Sequence, residues 1–314
     1  MRMNKKALDF NFGWIFTIIV GAAILFLAIY SASQLVRTNR NIQDTEIGKQ
    51  IGILLSPVEA SIESETSPAP IVFNTEARIY NDCDAVGNFG SQEIGIATKS
   101  GIGSAWEKPG TASTFYNKYL FSSNIAEGNK FFLFSKSFEM PFRIGNLIFM
   151  WSNKEEYCFV NAPNDVKEVI ESINAAGYKN LNISEDGKCK LGTKEVCFSG
   201  SCDIVVDINS GTVRKEKKVL YYQGSLLYGA IFASPEIYEC QVKRLMKRAS
   251  ELALLYNDKT QSLASAGCNS NLGSELVFYA NNTFSFNSSL QLRTLGSLSE
   301  ELEGRNKLLS CKLW

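Results

Sequence analysis

FGWIFTIIVGAAILFLAIYSASQLV, residues 12–36, runs for 25 positions without a charged side chain. As a helix it extends about 37 Å against about 30 Å of bilayer hydrocarbon, so it is long enough to span. A signal peptide is the competing reading. Arg2, Lys5 and Lys6 give it a basic start, and Ser31-Ala32-Ser33 offers small residues for cleavage. Its apolar region, however, normally runs only about 7–15 residues. Trp14 and Tyr30 stand near the two ends, where aromatic rings prefer the membrane interface. The stretch predicts an uncleaved signal-anchor: a short cytoplasmic tail over 1–11 and a transmembrane helix over 12–36.

Charge alone leaves the orientation nearly balanced, with Arg2, Lys5 and Lys6 before the span and Arg37 and Arg40 after it. The cysteines break the tie. Cys83, Cys158, Cys189, Cys197, Cys202, Cys240, Cys268 and Cys311 all follow the span, an even set suited to disulfides in an oxidising space. The expected topology is a single pass through the cell membrane with the C-terminal ectodomain extracytoplasmic. Buried free thiols in a reducing cytosol are the alternative.

CKLGTKEVCFSGSC, residues 189–202, concentrates three of these cysteines. Zinc wants four N or S ligands in close pairs, and the chain has no histidine. The same absence removes Ser-His-Asp triads, Cys-His dyads and HExxH sites. Carboxylate pairs and Ser-Lys arrangements survive, without a recognisable local motif, and no catalytic residue, metal or cofactor is implied. Residues 1–40 carry +4 in a chain of net charge zero, leaving −4 for the remainder, so no basic footprint for nucleic acid is present. Three sequons, Asn182-Ile-Ser184, Asn281-Asn-Thr283 and Asn287-Ser-Ser289, permit glycosylation but occur at about the frequency chance gives in an Asn- and Ser-rich chain.

Beyond Arg40, Ile47, Ile51, Leu54, Leu55, Val58 and Ile62 recur at helical spacing, predicting an amphipathic stalk over 37–62 interrupted at Pro57. ESETSPAP, 63–70, reads as a linker. A β-rich part is expected over 71–163, with strands at Ile71–Tyr80, Gln92–Thr98, Lys130–Phe138 and Phe142–Trp151. SGIGSAW, 100–106, reads as a turn, since it lacks the third glycine and the Lys-Ser/Thr of a phosphate loop. An α+β, cysteine-rich part covers 164–314. Tyr157–Val160, a helix capped by Asn164 or Asp165 and ended by Gly177, and a strand at Asn180–Ile183 make a small α/β unit. Asp203–Ile208, a turn at Asn209-Ser210-Gly211 and Thr212–Tyr222 signal a hairpin.

Ser234-Pro235 starts a helix whose apolar stripe is Tyr238, Val242, Leu245, Ala249, Leu252 and Tyr256. Lys243, Arg244, Lys247 and Arg248 gather on or beside its other face, expected to be solvated, with an anionic lipid, glycan or partner as the alternative. A last helix over Ser297–Leu313, with a capping box of Ser297 and Glu300, is expected to break at Gly304. The fold class is therefore α+β: a transmembrane helix, a stalk and a β-rich, disulfide-stapled ectodomain with two or three helices.

Lys5-Lys6-Ala7, the long apolar helix, the stalk and the disulfide-bearing head together resemble type IV pilin-like proteins, including archaeal ones with class III signal peptides. The resemblance covers the first 60 residues or so. It implies processing beside a basic residue, with Ala7 and Leu8-Asp9 imitating the cut and the acidic residue after it, although the apolar run starts only at Phe12. A head over 71–314 would suit a minor or tip subunit.

The expected function is a membrane-anchored extracytoplasmic protein whose ectodomain binds, adheres or builds structure without catalysis. Its partners are the lipid bilayer and a second copy, filament or surface protein. A pilin-like subunit and a carboxylate-dependent hydrolase are the alternatives. For the disulfides, a helix unbroken from Pro235 to about Ala266 would hold Cys240 and Cys268 about 42 Å apart, beyond the roughly 7 Å a disulfide tolerates. The expected pairs are then Cys268 with Cys311, two cluster cysteines with each other, Cys240 with the third, and Cys83 with Cys158.

Overall fold

A computed structural model describes residues 14–35, 70–99, 106, 108–178, 180–265, 267–268 and 270–314. The predicted stalk, nearly all of the linker and most of the 100–106 turn lie outside the described residues. Helix α1, Trp14–Leu35, has 22 residues, is apolar enough to cross a membrane, and buries none of its length against the protein.

Alternation sets the first sheet. In β1 (Ile71–Asp84), Ala77, Ile79 and Asn81 point inward between exposed or half-exposed neighbours. It pairs antiparallel with β2 (Ser91–Thr98) and β5 (Ile125–Glu139), and β5 with β6 (Arg143–Ser152). Short β3 (Ser113–Phe115) and β4 (Leu120–Phe121) complete the order β3-β2-β1-β5-β6-β4. The sheet curls until β4 faces β1 and β2, where side chains replace the missing ladder. Gln92 Oε1 accepts from Leu120 N at 3.0 Å, and Asn81 Nδ2 donates to Leu120 O at 3.2 Å. Inside the curl sit Phe73, Ile79, Ile94, Phe131, Leu133 and Met150.

The second sheet has another grammar, six strands of four residues each in the order β12-β11-β10-β9-β7-β8. Strand β7 (Tyr157–Val160), helix α2 (Asn164–Ala175) and β8 (Leu181–Ser184) form a parallel βαβ unit. Its elements match the α/β unit read from sequence, except that the N-cap is Pro163 and neither Asn164 nor Asp165 caps the helix with its side chain; the 163/164 division falls within it. Strands β9 (Lys194–Cys197) and β10 (Ile204–Asp207) are also parallel; β11 (Thr212–Lys215) and β12 (Lys218–Tyr221) close antiparallel. The predicted second hairpin strand, Thr212–Tyr222, is thus itself a hairpin. It turns at Glu216 and Lys217, whose φ of 51° and 62° is the twist a two-residue loop needs, without the usual Asn-Gly.

Five helices follow α1 among the described residues, where the sequence predicted two or three for the ectodomain. Helix α3 (Leu226–Phe232) is buried throughout, so it carries no amphipathic signal. Gly229 lets it approach β4 closely: a Cβ there would lie 2.6 Å from the Phe121 ring. Helix α4 (Pro235–Ser265) runs unbroken from the predicted start, and α5 (Gly273–Phe284) packs beside it. Helix α6 (Leu292–Lys307) begins before the predicted Ser297 and continues through Gly304; the capping box is instead Ser288 with Gln291, on a 3-10 turn. One core unites the outer face of the first sheet, the second sheet and α2–α6, with Phe134, Phe149, Trp151, Phe159, Phe232 and Tyr238 at its centre.

The basic face of α4 needs correcting. Arg244 is fully buried and donates to the carbonyls of Phe89, Phe115, Tyr116 and Lys118 and to Gln241 Oε1, at 2.8–3.3 Å. Burial lowers its pKa to about 10. Lys247 reaches the carbonyls of Ala85 and Gly87. Arg244 and Lys247 bind the β1–β2 turn, and Arg244 also the β3–β4 connection, to α4 rather than facing a partner.

Candidate binding groove

The eight cysteines form four pairs with Cα separations of 5.9–6.2 Å. Cys268 pairs with Cys311, and Cys197 with Cys202, which closes the tight connection between the parallel strands β9 and β10. Two expected pairs are wrong. Cys240 joins Cys83, because Arg244 and Lys247 hold the end of β1 against the first turns of α4. Cys158 joins Cys189, because β7 lies directly beside β9, with Cys158 in register with Glu195. The disulfides frame the head, and none of them lines the concavity beside α2.

That concavity is a groove of about 880 Å³ between the second half of β5, the outer side of α2 and the β12–α3 junction. Helix α2 buries Val166, Ile170 and Ile173 against its sheet. The positions one helical step around, Asp165, Glu168, Val169 and Ser172, therefore turn toward the opening. From β5, Phe134 forms the floor, edge-on to Tyr228 and Phe232, while Lys136 stands above it with its ammonium 5.7 Å from the Tyr228 ring centroid. Ser225 Oγ donates to Ser137 O at 2.7 Å and fixes the α3 side.

Burial pushes the Tyr222 phenol up to about 12, helped by the Asp207 and Asp165 carboxylates, and raises Tyr228 further, with Asp165 again contributing. Both phenols therefore stay protonated at any physiological pH. The groove presents two carboxylates, a lysine, two phenols and Ser172 over an apolar floor, a mixture and volume typical of small-ligand and peptide sites. Asp165 and Glu168 are exposed, and no Asp or Glu is buried among the described residues.

The sequence reading marked Asp165 only as a helix cap and missed Lys136, Glu168, Tyr222 and Tyr228. The groove joins positions far apart in the chain, and no local motif marks them. Comparisons with protein-family models, curated proteins and solved structures found no match to this chain.

Proposed function

We propose that this chain is a single-pass membrane protein, N-terminus inside, whose extracytoplasmic head binds a ligand in the groove between β5, α2 and α3 without catalysing its conversion. The observation that carries the reading is the groove itself. Its donors and acceptors are arranged to hold a ligand, while its two carboxylates lie exposed on the outer side of α2. Asp165 and Glu168 favour a ligand bearing hydrogen-bond donors or a positive charge, and Tyr222 offers it a partly exposed ring. The unburied α1 and the paired cysteines support membrane attachment and an oxidising compartment.

Protease added to intact cells should degrade the head and spare only α1 and the tail; full protection until lysis would reverse the topology. For binding, purified full-length protein is screened by thermal shift against oligosaccharides and short cationic peptides. A hit abolished by Ser172→Trp, which fills the groove, supports the reading. A hit that survives Ser172→Trp removes the groove from it. A pilin-like subunit remains the second reading, favoured by α1 being apolar on every side; it requires loss of the residues before Leu8 and recovery in filaments.

A further inference from the structure

Helix α5 buries Leu276, Tyr279, Ala280 and Thr283, and Tyr279 anchors that side by donating its hydroxyl to Met140 O. Its opposite side leaves large apolar groups in solvent: Val277 is 37 % exposed, Phe278 57 % and Phe284 64 %. At 100° per residue these three positions fall within one arc, and Asn281 lies inside it, between Val277 and Phe278 one turn before and Phe284 one turn after. The two exposed phenylalanines stand about 120° apart around the helix with Asn281 midway between them, an apolar face open to a covering group. Asn281 opens the sequon Asn281-Asn-Thr283, and among the described residues its side-chain amide makes no hydrogen bond, whereas that of Asn282 is committed to Phe278 O at 2.8 Å. Of the three sequons, only this one has its asparagine on the stripe. Asn182 lies in strand β8, and Asn287 follows the end of α5 with its backbone N–H donated to Gln291.

We propose that Asn281 carries an N-linked glycan whose first sugars lie over the apolar stripe of α5, the nonpolar faces of the pyranose rings stacking on Phe278 and Phe284. The inference rests on the extracytoplasmic placement of the head. Thr283, the hydroxyl that a transferase must read, is fully buried and donates to Tyr279 O and Ala280 O. Transfer therefore precedes the folding of α5, on the chain as it crosses the membrane. The donor is an oligosaccharide on a polyprenyl pyrophosphate. The Asn281 amide nitrogen forms the C–N bond to the anomeric carbon, the C–O bond to pyrophosphate breaks, the lipid pyrophosphate leaves with the electron pair, and the amide proton passes to the transferase. The finished glycan then does on this face what a packed partner does on the other, covering the rings while keeping the outer surface polar.

Protein purified from its native membranes decides the matter by non-reducing peptide mapping. A glycan mass on the peptide containing Asn281, lost in Asn281→Gln, is the expected result. Asn281→Gln should also raise the fluorescence of a hydrophobic dye at unchanged thermal midpoint, and Asn182→Gln should not. In a Phe278→Ser, Phe284→Ser background the dye response to Asn281→Gln should disappear. A bare Asn281 in protein whose cysteines are paired overturns the glycan and leaves the compartment standing. Eight free thiols overturn the compartment, and the glycan with it. A glycan at Asn281 whose removal leaves dye binding unchanged overturns the covering role.

Discussion

The two sheets reach stability by different routes. The first has four long strands of 14, 8, 15 and 10 residues beside the short β3 and β4, enough for extended ladders and an interior of its own. Every strand of the second has four residues, and two disulfides, Cys158–Cys189 and Cys197–Cys202, gather within it around Val160. Short strands bury little area each, so covalent closure supplies what the ladder cannot. The first sheet holds a single disulfide cysteine, Cys83, and uses it to reach α4. One sheet is stapled internally, and the other is stapled to its neighbour.

Breaking the staples separates these cases. Cys83 and Cys240 stand 157 positions apart and Cys197 and Cys202 only 5. Loop-closure entropy then assigns about 5 kcal/mol to the first link and about 2 kcal/mol to the second. Paired Cys→Ala variants followed by urea unfolding should preserve that order. Equal losses would mean that the links act through local packing rather than through the unfolded chain.

Arg244 is the noncovalent partner of the long link. Replacing it with Met keeps the bulk but orphans the carbonyls of Phe89, Phe115, Tyr116 and Lys118. The expected cost is about 4 kcal/mol, read from the urea midpoint. Because Arg244 and Cys240 share one helical turn and fasten the same hairpin, the loss in a Cys83→Ala, Cys240→Ala background should be less than additive.

Much of this was legible in the sequence where one segment carries its own signal. The βαβ unit from Tyr157 to Ser184 showed its period and its stop at Gly177, though not its cap, and Ser234-Pro235 marked the start of α4. The apolar span, predicted over 12–36, is helical across its described part. What stayed hidden depends on contacts between segments. Arg244 looks like any basic residue on a helix until the β1–β2 turn and the β3–β4 connection converge on it. Helix α3 is apolar on every side, so it has no stripe to read. The turn at Glu216-Lys217 lacks turn chemistry and is imposed by its flanking strands. The groove escaped for the same reason, since Lys136, Glu168 and Tyr228 meet only after both sheets have formed.

The second sheet also contains a buried cation. Lys215 donates to Ile231 O and Ala233 O at 2.8 and 2.7 Å, meeting the negative end of α3, and burial lowers its pKa to about 8. The unfolded chain holds this proton more tightly than the folded one. Stability should therefore rise as pH climbs from about 8 to about 10.4, by up to about 3 kcal/mol. Above that range the trend reverses: burial holds the Tyr157 and Tyr238 hydroxyls protonated in the folded protein, whereas the unfolded chain ionises them. Lys215→Met should flatten the rise and leave the fall. A rise that persists in the variant would assign it to another group.

The smallest effect belongs to the outer face of the first sheet, where charges form a ladder. Glu76 meets Lys99 and Lys154 at 2.7 Å, Lys154 meets Glu127 at 2.8 Å, and Glu127 meets Arg78 at 2.8 Å. Arg78 stacks 3.9 Å above the Trp106 ring. Hydrogen bonds from Lys154 and Lys99 lower the Glu76 pKa to about 2. Its folded value lies below its unfolded one, so its contribution is complete above about pH 4.5 and disappears as pH falls toward 2. All of these groups face solvent, and salt screens them. Glu76→Gln should therefore lower the midpoint only slightly at neutral pH, where the contribution is complete, the difference should vanish as pH falls toward 2, and 1 M NaCl should shrink it. A neutral-pH difference of undiminished size in salt would mean that the ladder positions the strands geometrically, as the disulfides do in the other sheet, and the contrast between the two would then narrow to the length of their strands.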